Sequence, residues 1–423
     1  MVSNKFANLL KSLFNQNKRN SLKTIKSDNA VSSINSQISD KNINLHKKIK
    51  HHHHVEPLSN DAHSLNIYLG SDISGESYYW SPLSELNPHM LIVGVPGVGK
   101  TQTIKSIISS LNGYSNSVPT FAIDFENEYT DVIDSIIRPG LDISVSKSFW
   151  NRKRYSINPL DLLEGGPTTV KFKISSILAK IYKLGDQQES ILRKAISDSY
   201  QSQQIFENDK SSWSRKSPRF ELIKDNLETA SKQKGENGSR ARSTLNKLEP
   251  IFETDMFNGD TQITLNQLLK QGAVLSLLSL PTEETKLAAS EFFLRWLWHE
   301  IQKQGELQNE LQLLIVLDEA HKLAYELSPV TDLLRRGRKY GVSIILSTQQ
   351  PGDFEYSELA FQNTSVHLSF RCDSDKHARQ MSKELLSETD LYSALRKLGK
   401  FEAFVSSSNH DPVKIKISPY YQK

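Results

Sequence analysis

The residues best suited to chemistry are Gly94-Val95-Pro96-Gly97-Val98-Gly99-Lys100-Thr101, followed by Gln102. They fit the P-loop pattern G-x-x-x-x-G-K-[ST]. Glycines let successive backbone N–H groups turn inward around a phosphate, and the N-terminus of the following helix adds partial positive charge there. In such a loop Lys100 reaches the β- and γ-phosphates of ATP, and the Thr101 hydroxyl is a ligand for Mg²⁺. A second group is Asp318-Glu319, two acids that end the apolar run Leu313–Leu317. This is the Walker B pattern: Asp318 holds Mg²⁺ through water, and Glu319 polarises the attacking water. Gln349 ends another apolar run and can hydrogen-bond the γ-phosphate or that water. Just upstream, LLRRGRKYG carries Arg335, Arg336, Arg338 and Lys339, which either form a solvated helix end or project onto a neighbouring subunit. Phosphoryl transfer gains greatly from an arginine supplied in trans.

These groups need elements to hold them. Met90–Val93 is a short apolar run that predicts a buried strand, and Ile104, Ile107, Ile108 and Leu111 recur at helical spacing behind the loop. Residues 119–123 predict the next strand, ending in DFENEY with carboxylates at Asp124, Glu126 and Glu128. Acids at the carboxyl end of a parallel strand face the ligand crevice of an open α/β sheet; for Glu126, the start of a solvated helix is an equal reading. Leu65–Leu69 and Tyr78–Trp80 read as a strand pair before the P-loop. Further strands are expected at Ala273–Leu280, Leu313–Leu317, Val342–Gln349, Val366–Arg371, Phe401–Ser406 and Val413–Ile417. Lys286–Lys303 is a long helix whose Phe and Trp residues suit core packing.

Between about 165 and 255 the sequence turns polar and helical, which predicts an insertion into the α/β domain. Its basic stretches, residues 212–220 and 232–247, either meet a phosphate backbone or form a solvated loop. Residues 1–61 are rich in Asn, Ser and Lys and read as a disordered basic arm. Within it lie a short amphipathic piece, Phe6–Phe14, and a run His51–His54 that reads as a solvated linker. The motor domain is then expected over 62–423.

The 423 residues carry 52 Lys+Arg against 48 Asp+Glu, so net charge by itself argues for no nucleic-acid partner. Cys372 is the single cysteine, which excludes an intramolecular disulfide. No run approaches eighteen apolar residues and the N-terminus shows no secretory pattern, so the expected location is the cytoplasm.

Three families share parts of this pattern. DEAH at Asp318–His321 is similar to the superfamily-2 helicases, which need a second motor domain that the chain after Gln350 is too short to form. PGVGKT is similar to AAA+ ATPases, which usually carry Asn where Gln349 stands and append a helical lid. The third likeness runs from about Ile67 to Tyr420: the chain resembles the HerA/FtsK superfamily of hexameric P-loop motors, with conjugative coupling and type IV secretion ATPases as close relatives. The motifs that carry it are NPHMLIVGVPGVGKT, DFENEY, INPLDL, LDEAHKL, GRKYG and STQQP. The resemblance implies a RecA-like α/β fold, ATP and Mg²⁺ as cofactors, a homo-hexameric ring and double-stranded DNA as partner. It also implies that Gln349 senses the nucleotide, that Arg338 acts as an arginine finger across the subunit boundary, and that Arg371 contacts the nucleotide region. Asn127 stands where the family's acidic motif has glycine, which suits a residue type that visits the left-handed region. The family's N-terminal β-barrel is missing or reduced to residues 62–85. The function expected is an ATP-driven DNA translocase. The alternatives are a secretion or coupling ATPase at a membrane channel, and a nucleotide-gated component of a DNA defence complex that partners a nuclease.

Overall fold

The computed structural model describes residues 65–114, 117–139, 152–163, 165–257, 264–307, 309–324, 328–354, 357–385, 390–407 and 410–422. The expected arm over 1–61, with Phe6–Phe14 and His51–His54, lies outside the described residues.

Twelve strands among the described residues form one mixed sheet. They are β1 (Ile67–Asp72), β2 (Ser77–Trp80), β3 (Met90–Val93), β4 (Thr120–Asp124), β5 (Ile136–Pro139) and β6 (Arg152–Tyr155). There follow β7 (Ala273–Ser276), β8 (Leu313–Leu317), β9 (Val342–Thr348), β10 (Val366–Ser369), β11 (Glu402–Ser407) and β12 (His410–Ile417). Their spatial order is β2-β1-β12-β11-β10-β3-β9-β8-β4-β7-β5-β6. From β10 to β6 all neighbours are parallel; from β2 to β10 they are antiparallel. The helices are α1 (Lys100–Asn112), α2 (Pro167–Ile181), α3 (Asp186–Ser202), α4 (Glu221–Ser231), α5 (Glu236–Phe252), α6 (Leu265–Gln271) and α7 (Glu283–Gln304). After these come α8 (Pro329–Arg336), α9 (Ser357–Gln362), α10 (Asp375–Glu384) and α11 (Tyr392–Lys397).

The central strands are buried throughout and mostly apolar because both faces of a parallel sheet are covered. Side chains alternate between faces, so each strand serves two cores. Leu91, Val93, Leu313, Ile315, Leu317, Ile344 and Leu346 join the core built with α2–α5 and α7. Met90, Ile92, Leu314, Val316 and Ile345 join the other, with Ile104, Ile107, Ile108 and Leu111 of α1. Each such fully buried side chain contributes about 1.5–3 kcal/mol.

The helical insertion is four helices, α2–α5, and it closes one of these cores through residues such as Leu178, Leu192, Leu227 and Leu248. The basic stretch that allowed a solvated loop is helical from Glu236 onward. INPLDL anchors the insertion: Asn158 Nδ2 donates to the Pro218 carbonyl at 2.9 Å, and the Tyr200 hydroxyl donates to the Leu160 carbonyl at 2.6 Å. Helix α7 packs as expected. Phe293 stacks on Phe121 of β4 with centroids 4.5 Å apart, and Trp298 meets Tyr340 edge-on at 5.2 Å.

Two strands are shorter than their apolar runs. β7 ends at Ser276, where Leu277 N–H turns to the Asp124 carbonyl (2.9 Å), and Leu277 and Leu280 are buried from a turn. β10 ends at Ser369, so Arg371 lies beyond the strand. At the entry to β3, His89 is fully buried and its Nδ1 accepts from the Ile344 N–H at 3.1 Å. Burial holds its pKa down to about 3, so the ring stays neutral.

Candidate nucleotide-binding site

The sheet order gathers the site. β9 lies between β3, which leads into the P-loop, and β8, which ends in the acid pair. Parallel register puts Val93 beside Thr348 and Leu317 beside Leu346, so three carboxyl ends open on one crevice. Such crevices are where open α/β sheets bind ligands.

The P-loop is held on three sides by backbone hydrogen bonds. Gly94 N–H donates to the Thr348 carbonyl (3.3 Å), Val95 N–H to the Arg371 carbonyl (3.2 Å), and Phe401 N–H to the Val98 carbonyl (2.9 Å). Gly97 and Gly99 sit at φ 79° and 121°, which side chains rarely adopt. Gly94 is needed for a different reason: a Cβ there would lie 2.5 Å from the Phe370 Cβ. Lys100 is buried and folds back on the loop, donating to the Gly94 carbonyl at 2.7 Å and that of Val95 at 3.3 Å. Burial lowers its pKa, and the carboxylates of Asp318, Glu319 and Glu128 oppose that shift. Pro96 is exposed on the loop, and the Gln102 Oε1 is buried at the start of α1.

The acids converge from two strands. The Thr101 hydroxyl donates to Glu128 Oε2 at 2.8 Å. Burial raises the Glu128 pKa, the Thr101 hydrogen bond opposes that, and Asp318 and Asp124 raise it further. Asp318 Oδ2 accepts from the Tyr129 hydroxyl at 2.7 Å. Tyr129 is buried, and desolvation together with Asp318 pushes its pKa well above the usual value. Gln349 Nε2 donates to Glu319 Oε1 at 3.0 Å. His321 Nδ1 lies 3.3 Å from the Thr348 hydroxyl and 3.5 Å from Glu319 Oε2. Glu319 itself is held at φ 52°, in the left-handed region.

The structure therefore brings Gly94–Gln102, Asp318, Glu319 and Gln349 together. It does not bring Arg338 there. Arg338 lies on the 3₁₀ turn Gly337–Tyr340 that enters β9, at the far end of the strand from Gln349, and its guanidinium donates to the Leu86 carbonyl. Arg371 reaches the P-loop with its carbonyl; its Nε pairs with Asp373 Oδ1 at 3.0 Å.

Asp124 does not face the crevice as a ligand. It is buried and turned back on its own loop, accepting from the N–H groups of Glu126 (3.1 Å), Glu128 (3.0 Å) and Tyr129 (3.0 Å). That brace sets Asn127 at φ 63°, as its residue type allows. Glu126 is exposed on this turn, with no helix after it.

Four side chains at the site were not singled out by sequence. Tyr129 and His321 belong to recognisable motifs, DFENEY and DEAH, but nothing in their spacing shows which acid they touch. Phe401 and Tyr421 are aromatics of a C-terminal segment that carries none of the quoted motifs. They join Lys100, Thr101 and Gln102 around a cavity of about 550 Å³.

The donor set suits a nucleotide with Mg²⁺. A hydroxyl at the start of α1 and a carboxylate just past the end of β8 are hard oxygen ligands, and Mg²⁺ usually keeps water and substrate phosphates for the rest of its shell. Among the described residues there is no cluster of three or more His, Cys, Asp or Glu side chains that forms a metal cage alone.

Fold and crevice together define a RecA-like P-loop ATPase of the HerA/FtsK type. The family described as "Helicase HerA, central domain" matches residues 82–297, just over half of the chain, and the chain belongs to that family. Asp318, Glu319, Arg338 and Gln349 lie beyond the matched residues. Among curated relatives, the DNA import protein CedB of Sulfolobus acidocaldarius is 25% identical over 73% of this chain. The DNA double-strand break repair helicase HerA of the same organism is 26% identical over 83%. The chain spans 48% of the length of the first and 68% of the second. Among solved structures, VirB4 of Thermoanaerobacter pseudethanolicus superposes with a TM-score of 0.67 at 18% identity, covering 86% of this chain and 99% of the solved chain. The plasmid coupling protein TrwB in complex with ADP and Mg²⁺ gives 0.53 at 13% identity, over 80% and 86%. At these identities the likeness is one of fold.

Proposed function

We propose that this chain is an ATP-driven DNA translocase whose copies form a ring, a hexamer by analogy with its superfamily, and hydrolyse ATP where neighbours meet. The observation that carries the ATPase reading is the Gln349–Glu319 hydrogen bond of 3.0 Å, made between the strand beside the P-loop and the strand of the acid pair. It places a carboxylate and a neutral amide side by side at the mouth of the phosphate cradle. The DNA half rests on the family and on relatives named for DNA repair and DNA import.

The roles follow from chemistry. Incoming phosphate oxygens replace the Gly94 and Val95 carbonyls as acceptors for Lys100. Thr101 and Asp318 hold Mg²⁺, which when bound neutralises charge on the phosphates. Tyr129 keeps the Asp318 carboxylate oriented through its second oxygen. Glu319 takes a proton from the attacking water, and Gln349 changes partner from Glu319 to the γ-phosphate or the water. Arg338 acts on the nucleotide of a neighbouring copy. Arg371 contributes position through its backbone.

The test is the ATPase rate with and without long double-stranded DNA. Stimulation that grows with DNA length supports translocation; a rate indifferent to DNA removes it. A second reading, a coupling ATPase that moves DNA at a membrane channel, is favoured by the likeness to CedB and to the VirB4 and TrwB folds. A membrane-bound partner is part of this reading; among the described residues no helix is long and apolar enough to cross a membrane. Co-fractionation with membranes only in the presence of such a partner separates the two.

A further inference from the structure

The cavity at the P-loop has a wall that the phosphate chemistry leaves unused. It is made by Lys400, Phe401 and Tyr421, from the turn before β11 and the 3₁₀ turn after β12. We propose that this wall is the seat of the nucleotide's base, with Phe401 and Tyr421 as its aromatic platform. The proposal rests on the nucleotide reading above and adds the part of the ligand that reading does not place.

Position comes first. The same cavity is lined by Lys100, Thr101 and Gln102, so a triphosphate anchored at Lys100 leaves its sugar and base within it. Its volume, about 550 Å³, lies in the range that encloses ligands of this size. The platform is also built rather than incidental. Phe401 sits at φ 62°, a conformation that bulky residues avoid. Two hydrogen bonds hold it there: its N–H donates to the Val98 carbonyl (2.9 Å), and its carbonyl accepts from Ile417 N–H (2.8 Å). The ring is thereby laid against the loop; a Cβ on Gly99 would fall 2.5 Å from the Phe401 Cδ1. Strain of this kind gathers at ligand sites.

Tyr421 meets Phe401 edge-on, with centroids 5.9 Å apart and planes at 65°. It is 62% exposed, which leaves ring surface for a base to cover. The Lys400 ammonium lies 5.1 Å from the Phe401 centroid. A buried acceptor is also at hand: Gln102 Oε1 has no hydrogen-bond partner among the described residues, and an exocyclic amine or a ribose hydroxyl would satisfy it. Every base has a π-face, so stacking here binds nucleoside triphosphates as a class, and Gln102 adds a preference for a donor group.

The experiment compares ATP with inorganic tripolyphosphate, which has the phosphates and no base. Both are titrated with Mg²⁺ onto the full chain and onto Tyr421→Ala, Tyr421→Trp and Lys100→Ala. Because Tyr421 is exposed, its replacement leaves the fold intact. Tyr421→Ala is expected to weaken ATP about tenfold and tripolyphosphate not at all, and Tyr421→Trp to bind ATP as the parent does. Equal losses for both ligands, or an unchanged ATP affinity, overturn the base seat while Lys100-dependent binding keeps the phosphate site. Failure of the parent chain to bind either ligand, or binding indifferent to Lys100→Ala, overturns both readings.

Discussion

Replacing Arg338 by alanine tests whether the site is completed by a second copy. β9 is seven residues long, Val342–Thr348, and at about 3.3 Å per residue it spans about 23 Å. Arg338 precedes that strand and Gln349 follows it, so its own crevice is beyond the reach of one side chain. A direct action of Arg338 on hydrolysis, as proposed, would therefore fall on another subunit's nucleotide. A guanidinium offered in trans to a transferring phosphoryl group is worth about 10³-fold or more in turnover, or roughly 4 kcal/mol. Arg338→Ala should lose about 10³-fold in kcat while binding ATP as before. Arg338→Lys should fail nearly as badly, because an ammonium lacks the planar fork. The hydrogen bond to the Leu86 carbonyl is exposed to solvent, and its removal should cost under about 1 kcal/mol of stability. The assay is kcat against protein concentration, followed by mixing Arg338→Ala with Lys100→Ala under subunit exchange. Mixed rings contain interfaces with one intact P-loop and one intact arginine, so single-turnover hydrolysis should return. Full turnover by Arg338→Ala, full turnover by a monomer, or silent co-assembled rings would refute the reasoning.

Lys100→Ala should lose nucleotide binding, whereas Glu319→Gln should keep it and lose at least about 10²-fold in turnover; equilibrium titration and single-turnover rates separate the two. His89 supplies a pH test. Its folded pKa is depressed from 6.5 to about 3, so its contribution is complete above 6.5 and is lost as pH falls through that window. The slope contributed by His89 should approach about 1.4 kcal/mol per pH unit, one proton's worth, and urea unfolding should show it missing in His89→Asn. In the insertion, Arg240 pairs with Glu236 at 2.5 Å, Arg242 donates to the Ser231 carbonyl at 3.1 Å, and Arg215 donates to the Gln204 carbonyl. Neutralising Arg215, Lys216, Arg219, Arg240 and Arg242 together should weaken DNA binding without sequence preference. It should flatten the salt slope by about 0.9 for each phosphate that is no longer neutralised, and an unchanged slope would place the DNA elsewhere.

Much of the fold was legible because its signals are local. A five-residue apolar run that ends in acids, such as Leu313–Leu317, reads as a strand buried on both faces, and PGVGKT turns where its glycines let it. Helix α1 declared its buried side through the spacing of Ile104, Ile107, Ile108 and Leu111. What stayed illegible depends on which strands are neighbours. Nothing in the spacing says that β9 inserts between β3 and β8, yet that order makes Gln349 and Glu319 partners. Tyr129 and Asp318 are 189 residues apart and meet for the same reason. Asp124 misled because a carboxylate at a strand end has two competing uses, a ligand or its own loop's N–H groups, and here the loop wins. β7 misled because an apolar run continues wherever burial continues, including past the turn at Leu277.

Glu319 is held at φ 52°, a backbone setting that costs a residue with a Cβ about 1–2 kcal/mol. Glycine would relieve that cost and remove the carboxylate with it. With Glu319 in its proposed role, the position sets folding and turnover against each other. Under that role, selection for a more robust chain pushes toward glycine or asparagine there, and the need to hydrolyse keeps an acid in place. Screens for thermostable variants should enrich inactive ones at this position, and a copy that has exchanged hydrolysis for a purely architectural part in a ring would be expected to show the change here early.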